Sequence, residues 1–202
     1  MRWRVLAWLV DGLEAFPTRL HAYSLLPSSV LLLLTPGEPE GLSGLMQMLA
    51  RRTSLALAVS SDQVPIWAGR FRSAVLQPEP WALPATVWVD SAAQRAGLAA
   101  AAQAWPWSSQ AAHCGQGGAG GSAPALHLLQ PHWALGNTPF EREAGYSRLL
   151  QAGVSAAQAQ ALERALRGGS ALGDVAFLRE LEEVTGRRVR PAARGRPRKE
   201  PE

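Results

Sequence analysis

The chain is poor in cysteine, lysine and tyrosine: Cys114 stands alone, Lys199 is the one lysine among 20 basic residues, and Tyr23 and Tyr146 are the only tyrosines in 202 residues. A single cysteine closes no internal disulfide, so a covalently stapled scaffold is excluded and a reducing, cytoplasmic setting is expected. No apolar run approaches the roughly 20 residues needed to cross a bilayer. The N-terminal apolar stretch is cut by Asp11 and Glu14 and has no small-residue cleavage site, so neither a secretory signal nor a membrane partner is expected. Positive charge is scarce over most of the length. Residues 186–202 hold seven of the 20 basic residues and two of the 16 acidic ones, leaving 13 basic and 14 acidic residues, net −1, for residues 1–185. The basicity belongs to the tail.

What is present suffices for one core and an appendage, since 47% of the residues are hydrophobic. Helical spacing of Val5, Leu6, Leu9, Val10 and Leu13 predicts a helix over 3–16, ended by Pro17. Strands are expected at Arg19–Leu25 and Val30–Leu34, joined across Pro27 and Ser28, and the short link implies antiparallel pairing. A helix over 41–57 buries Leu42, Leu45, Met46 and Leu49, and a strand is expected over Ile66–Leu76. Pro84 suits a first helical turn, so the next helix is expected to start there and not at Glu79. This alternation of strands and helices reads as a ferredoxin-like α+β domain over 1–113.

After it come a Gly-rich linker (114–126), a helical extension (127–186) and a basic tail (187–202). Gly115, Gly117 and Gly120 have the spacing of a dinucleotide-binding loop, but no apolar strand precedes them and no helix opens immediately after, so the linker reading prevails. In the extension, Ser155 and Gln158 make a capping-box pattern and Gly168-Gly169 end that helix; Asp174 caps the next, whose stripe of Val175, Leu178, Leu181 and Val184 closes at Gly186. A helical hairpin packed on the main domain is the commoner form of such a pair, and Glu180, Glu182 and Glu183 argue against a second helix lying along phosphates.

Residues 21–36 read "HAYSLLPSSVLLLLTP". The segment resembles the signature strand pair of the REP-associated tyrosine transposases, bacterial single-tyrosine HUH nucleases in which it usually reads close to "HAYVLMPNHVHLLLTP". The resemblance continues in order through "GLSGLMQMLARR" (41–52), "IWAGRFRSAVL" (66–76), the stretch from Glu79 to Gly97, "WPWSSQAAH" (105–113) and "RGRPRK" (194–199). It implies DNA transposition chemistry: two histidines at i, i+2 on one strand face hold a divalent metal, the metal polarises a DNA phosphate, and a tyrosine attacks. Here the two histidine positions fall on Ser29 and Leu31, and the tyrosine position, aligned through Arg95 to Gly97, falls on Trp88. An isobutyl group binds no metal and an indole has no nucleophilic oxygen. The resemblance therefore implies a cleavage-inactive relative with its metal site lost and no cofactor. Relatives open with a strand ahead of the first helix. That first strand is missing from this sequence, as expected of a truncated gene or of a start codon placed too late.

The partner expected is DNA, hairpin or A/T-rich. "RGRPRK" (Arg194, Gly195, Arg196, Pro197, Arg198, Lys199) resembles an AT-hook, in which an extended Arg-Gly-Arg-Pro lays guanidinium groups into a narrow minor groove; the bland alternative is a solvated basic tail. Arg70 and Arg72 would share one face of the expected strand, with Arg51 and Arg52 ending the preceding helix, a set as consistent with phosphate contact as with an ordinary polar face. His21, His113, His127 and His132 have no second ligand at chelating spacing in the sequence, so no replacement metal site is expected. Tyr146 and Tyr23 read as packed aromatics, and Trp67, Trp105 and Trp107 as core or interdomain anchors. The functional expectation is a transposase-like, non-cleaving DNA-binding protein, nucleoid-associated in a bacterial cytoplasm. The alternatives are a transposase remnant without function and an interaction protein that never meets DNA.

Overall fold

The computed structural model describes residues 1–58, 66–117 and 123–190. The protein is α+β, with a two-stranded antiparallel sheet and nine α-helices among the described residues. Helix α1 (Arg2–Ala15) leads into β1 (Thr18–Leu25), β2 (Val30–Pro36) and α2 (Gly41–Ala58). Register runs from Thr18 opposite Pro36 to Leu25 opposite Val30, with a bulge at His21 between Leu20 and Ala22. Side-chain alternation sends the two faces of the sheet to different partners. On one face Leu20, Tyr23 and Leu25, with the half-buried Val30, Leu32 and Leu34, meet Leu6 and Leu9 of α1 and Leu45 and Leu49 of α2. Gly12 allows that close approach, since a Cβ there would lie 2.5 Å from atoms of both Leu45 and Met48.

The other face rests on α3 (Pro78–Asp90). Every residue of α3 from Ala85 to Asp90 is buried, as befits a helix enclosed on all sides. Two sequence expectations fail around it. The helix begins at Pro78, and Pro84 lies inside it, because Pro78 and Pro80 fall in the first turn, where no intrahelical N–H is needed. The strand expected over Ile66–Leu76 does not form: residues 66–75 are irregular, and only Leu76 makes a bridge, parallel to Leu172. The free edge of β1 is already taken, with Leu25 N–H donating to Trp107 O and Ser109 N–H to Tyr23 O. Phe71 and Val75, which would form the apolar face of such a strand, are 39% and 53% exposed, so no layer receives them.

Beyond α4 (Ala92–Arg95) and α5 (Gln110–His113), the C-terminal part is helical: α6 (Gln130–Trp133), α7 (Pro139–Ala152), α8 (Ala156–Gly168) and α9 (Val175–Thr185). Ser155 and Gln158 cap α8 reciprocally, Asp174 accepts from Phe177 N–H at the start of α9, and Gly169 and Gly186 close both helices in the left-handed conformation. A second capping box, Thr138 with Glu141, opens α7. Helices α7 and α8 pack on the N-terminal part, whereas α9 buries none of its residues.

Candidate functional site

Leu31 and Trp88, 57 positions apart in sequence, pack in one apolar cluster with Ala22, Ala85, Val89 and Leu162. β2 sends Leu31 and Leu33 to this face, and α3 presents Trp88 to it. Ser29 precedes the strand at the same parity as Leu31 and is partly exposed. Leu162 of α8, with Ala159 and Leu166, closes the cluster from outside. Trp88 is 8% exposed, its indole N–H has no partner, and the Arg95 guanidinium lies 4.4 Å from its ring centroid while donating to its backbone carbonyl. Burial lowers the Arg95 pKa. The side chains that form this cluster are apolar apart from the Trp88 indole N–H.

The arginines divide. Arg52 pairs with Asp11 on the exposed rim of α1 and α2, so its charge is partly neutralised; Arg51 is exposed. Arg70 and Arg72 are exposed on the irregular segment, and without a strand their shared face lapses. The Trp67 indole donates to Ala50 O, tying the start of that segment to the turn of α2 that carries Arg51 and Arg52. Arg194, Gly195, Arg196, Pro197, Arg198 and Lys199 lie outside the described residues.

A second constellation escaped the sequence reading. Asp90, at the C-terminal end of α3 and 0% exposed, accepts hydrogen bonds from Ser109 Oγ, from His113 Nδ1 at 2.7 Å and from Tyr146 Oη at 2.6 Å. Ser109 also accepts from Tyr23 N–H, so the hub grips β1 as well. His132 stacks on His113 and on Tyr146, with centroids 5.4 and 5.5 Å apart. Sequence spacing gave these histidines no companion; the fold stacks them, because segments 19 to 56 residues from Asp90 converge there. Burial is the main force on both flanking groups: it holds the His132 pKa down to about 4, and it raises that of Tyr146, with Asp90 adding to the rise.

His113 Nε2 and both ring nitrogens of His132 have no hydrogen-bond partner, and the two rings line a cavity of about 90 Å³ with Arg142 and Glu143. That is room for several water-sized molecules. Asp90 fixes His113 with Nδ1 toward the carboxylate, the arrangement that leaves Nε2 as the free nitrogen. Among the described residues no group of three or more His, Cys, Asp or Glu is placed to hold a metal ion. The hub is a buried polar tie between α3, α5 and α7.

His21 is a strut. Its Nδ1–H donates to His127 O at 2.6 Å and its Nε2 sits 2.8 Å from Thr35 Oγ1, so the neutral ring donates once and accepts once. Burial lowers its pKa, in keeping with that neutral form. No helix among the described residues is long and apolar enough to cross a membrane. Compared with known proteins, the chain matches no family model, no curated protein and no solved structure.

Proposed function

We propose that this chain is a non-cleaving DNA-binding protein on a ferredoxin-like scaffold related to the REP-associated tyrosine transposases. One observation carries the reading. The positions that the resemblance assigns to a metal ligand and to the nucleophile, 31 and 88, meet in space, and the residues there are a half-buried leucine and a buried tryptophan packed in one cluster with Leu162 of α8. Chance alignment of two distant segments gives no reason for that meeting. A relative that keeps the arrangement and lacks the ligands retains binding and loses cleavage.

The attraction to DNA is assigned to the tail, which carries the surplus positive charge, with Arg51, Arg70 and Arg72 as secondary contacts. Each phosphate neutralised on duplex DNA adds about 0.9 to the slope of log affinity against log salt. Deleting residues 187–202 is therefore expected to remove most binding to an A/T-rich hairpin and to lower that slope by several units, as measured by fluorescence anisotropy at graded salt. Equal affinity and slope in the truncated protein would transfer recognition to the arginines at the end of α2. An interaction protein without DNA is favoured by one feature, the exposure of Val175 and Val184 on α9 at 63% and 79%, and unchanged binding of a protein partner with no DNA binding at all would select it.

A further inference from the structure

A cleft of about 560 Å³ opens where β1 begins and β2 ends, walled by the segment 126–133. Its volume falls in the range of small-ligand sites, roughly 300–1,000 Å³. Arg19 is the only Arg, Lys, Asp or Glu that lines it, and Arg19 has no ion pair among the described residues. Trp133, 55% exposed, lines the cleft and is steadied by the Arg142 guanidinium, 4.5 Å from its ring centroid. Gln130 and His127, both exposed, add donors and acceptors to the wall. The wall is preorganised: His127 N–H donates to Leu20 O, His127 O accepts from His21, and His21 is braced in turn by Thr35. The bulge at His21 turns the ring to this task.

An exposed indole held by a cation, an unpaired guanidinium, amide and imidazole edges, and no carboxylate form the chemistry of a site for a planar, anionic ligand. Aromatic stacking with a nearby cation is how single-stranded nucleic acid is held without regard to sequence. Thr35 follows Leu31 and Leu33 on the same face of β2, about 13 Å along the strand from Leu31 at roughly 3.3 Å per residue, so the cleft lies at the far end of the face that carries Leu31.

We propose that this cleft binds one unpaired nucleotide of single-stranded DNA, its base stacked on Trp133 and its phosphate paired with Arg19. The proposal rests on the DNA-binding reading above but uses different residues. The test measures a labelled single-stranded tetranucleotide and a blunt A/T-rich duplex side by side on the full chain. Trp133→Ala is expected to weaken tetranucleotide binding about tenfold or more and to spare the duplex, while Trp133→Tyr, which keeps a π face, retains most of it. Arg19→Ala is expected to weaken the tetranucleotide and lower its salt slope by about 0.7. The side chains changed are exposed, and an unchanged melting temperature verifies the fold. A tetranucleotide that does not bind, or binds Trp133→Ala as well as the parent, overturns the cleft whatever the duplex does. A duplex that fails to bind while the tetranucleotide remains sensitive to Trp133 upholds the cleft and removes the tail-based reading.

Discussion

Trp88 and Asp90 are two residues apart on one helix, about 200° around it, and they organise opposite environments. Trp88 joins a dry cluster with Leu31 and Leu162, at the place where the sequence resemblance implies metal and nucleophile. Asp90 gathers Ser109, His113 and Tyr146 into a buried polar hub, where the sequence offered only isolated histidines and a packed tyrosine. Ionisable side chains alone therefore do not mark the functional surface. The polar center of this protein ties α3, α5 and α7 together.

The contrast breaks most sharply at Asp90. Asp90→Ala strands three buried donors, and loss of the shared acceptor is expected to cost about 3–5 kcal/mol in chemical denaturation. Asp90→Asn, which keeps one acceptor, is expected to cost less. A loss under about 1 kcal/mol for the alanine variant would mean that the hub is open to water.

Acid provides the next largest effect. The folded pKa of His132, about 4, lies below its ordinary 6.5, so between these values the unfolded chain takes up a proton that the folded chain refuses. Stability is thus fully present above pH 6.5, falls as pH drops toward 4, and levels off below; the ceiling on this contribution is about 3 kcal/mol. His132→Phe is expected to flatten the pH dependence of the melting temperature in that window, and an undiminished slope would assign it to other groups.

On the dry side, Leu31→Asp places a carboxylate in the Trp88 cluster, and a loss of about 1–2 kcal/mol is expected because Leu31 is half-buried there. An unchanged melting temperature would show this face open to solvent. The smallest effect is expected at Arg52→Ala, where the pair with Asp11 is exposed and worth at most about 1 kcal/mol. That variant separates DNA contact from stability, because a drop in affinity without a drop in melting temperature assigns the arginine to the interface.

Local chemistry was legible and distant convergence was not. The first helix, the hairpin, the second helix and the caps at Ser155, Asp174, Gly169 and Gly186 follow from short-range patterns and stand where those patterns place them. Thr138 and Glu141 carry the same capping signal at the start of α7. Pro84 misled because a proline marks a helix start only when no earlier proline fills that role. The expected strand at 66–76 had alternation but no open edge of β1 and no layer for Phe71 and Val75. The Asp90 hub had no sequence signal, since its members come from three separate segments and meet only through the packing of α5 and α7 on α3.

The most direct measurement offers the full-length protein a 5′-labelled DNA hairpin with a single-stranded flank, in magnesium or manganese, and follows bound complex, nicked strand and covalent protein–DNA adduct in the same samples. Bound complex with neither nick nor adduct is the expected result, given Ser29, Leu31 and Trp88 at the three positions. A nick that needs the divalent ion and vanishes with chelator, or an adduct on Tyr23 or Tyr146, would contradict the central claim that this scaffold binds without cutting.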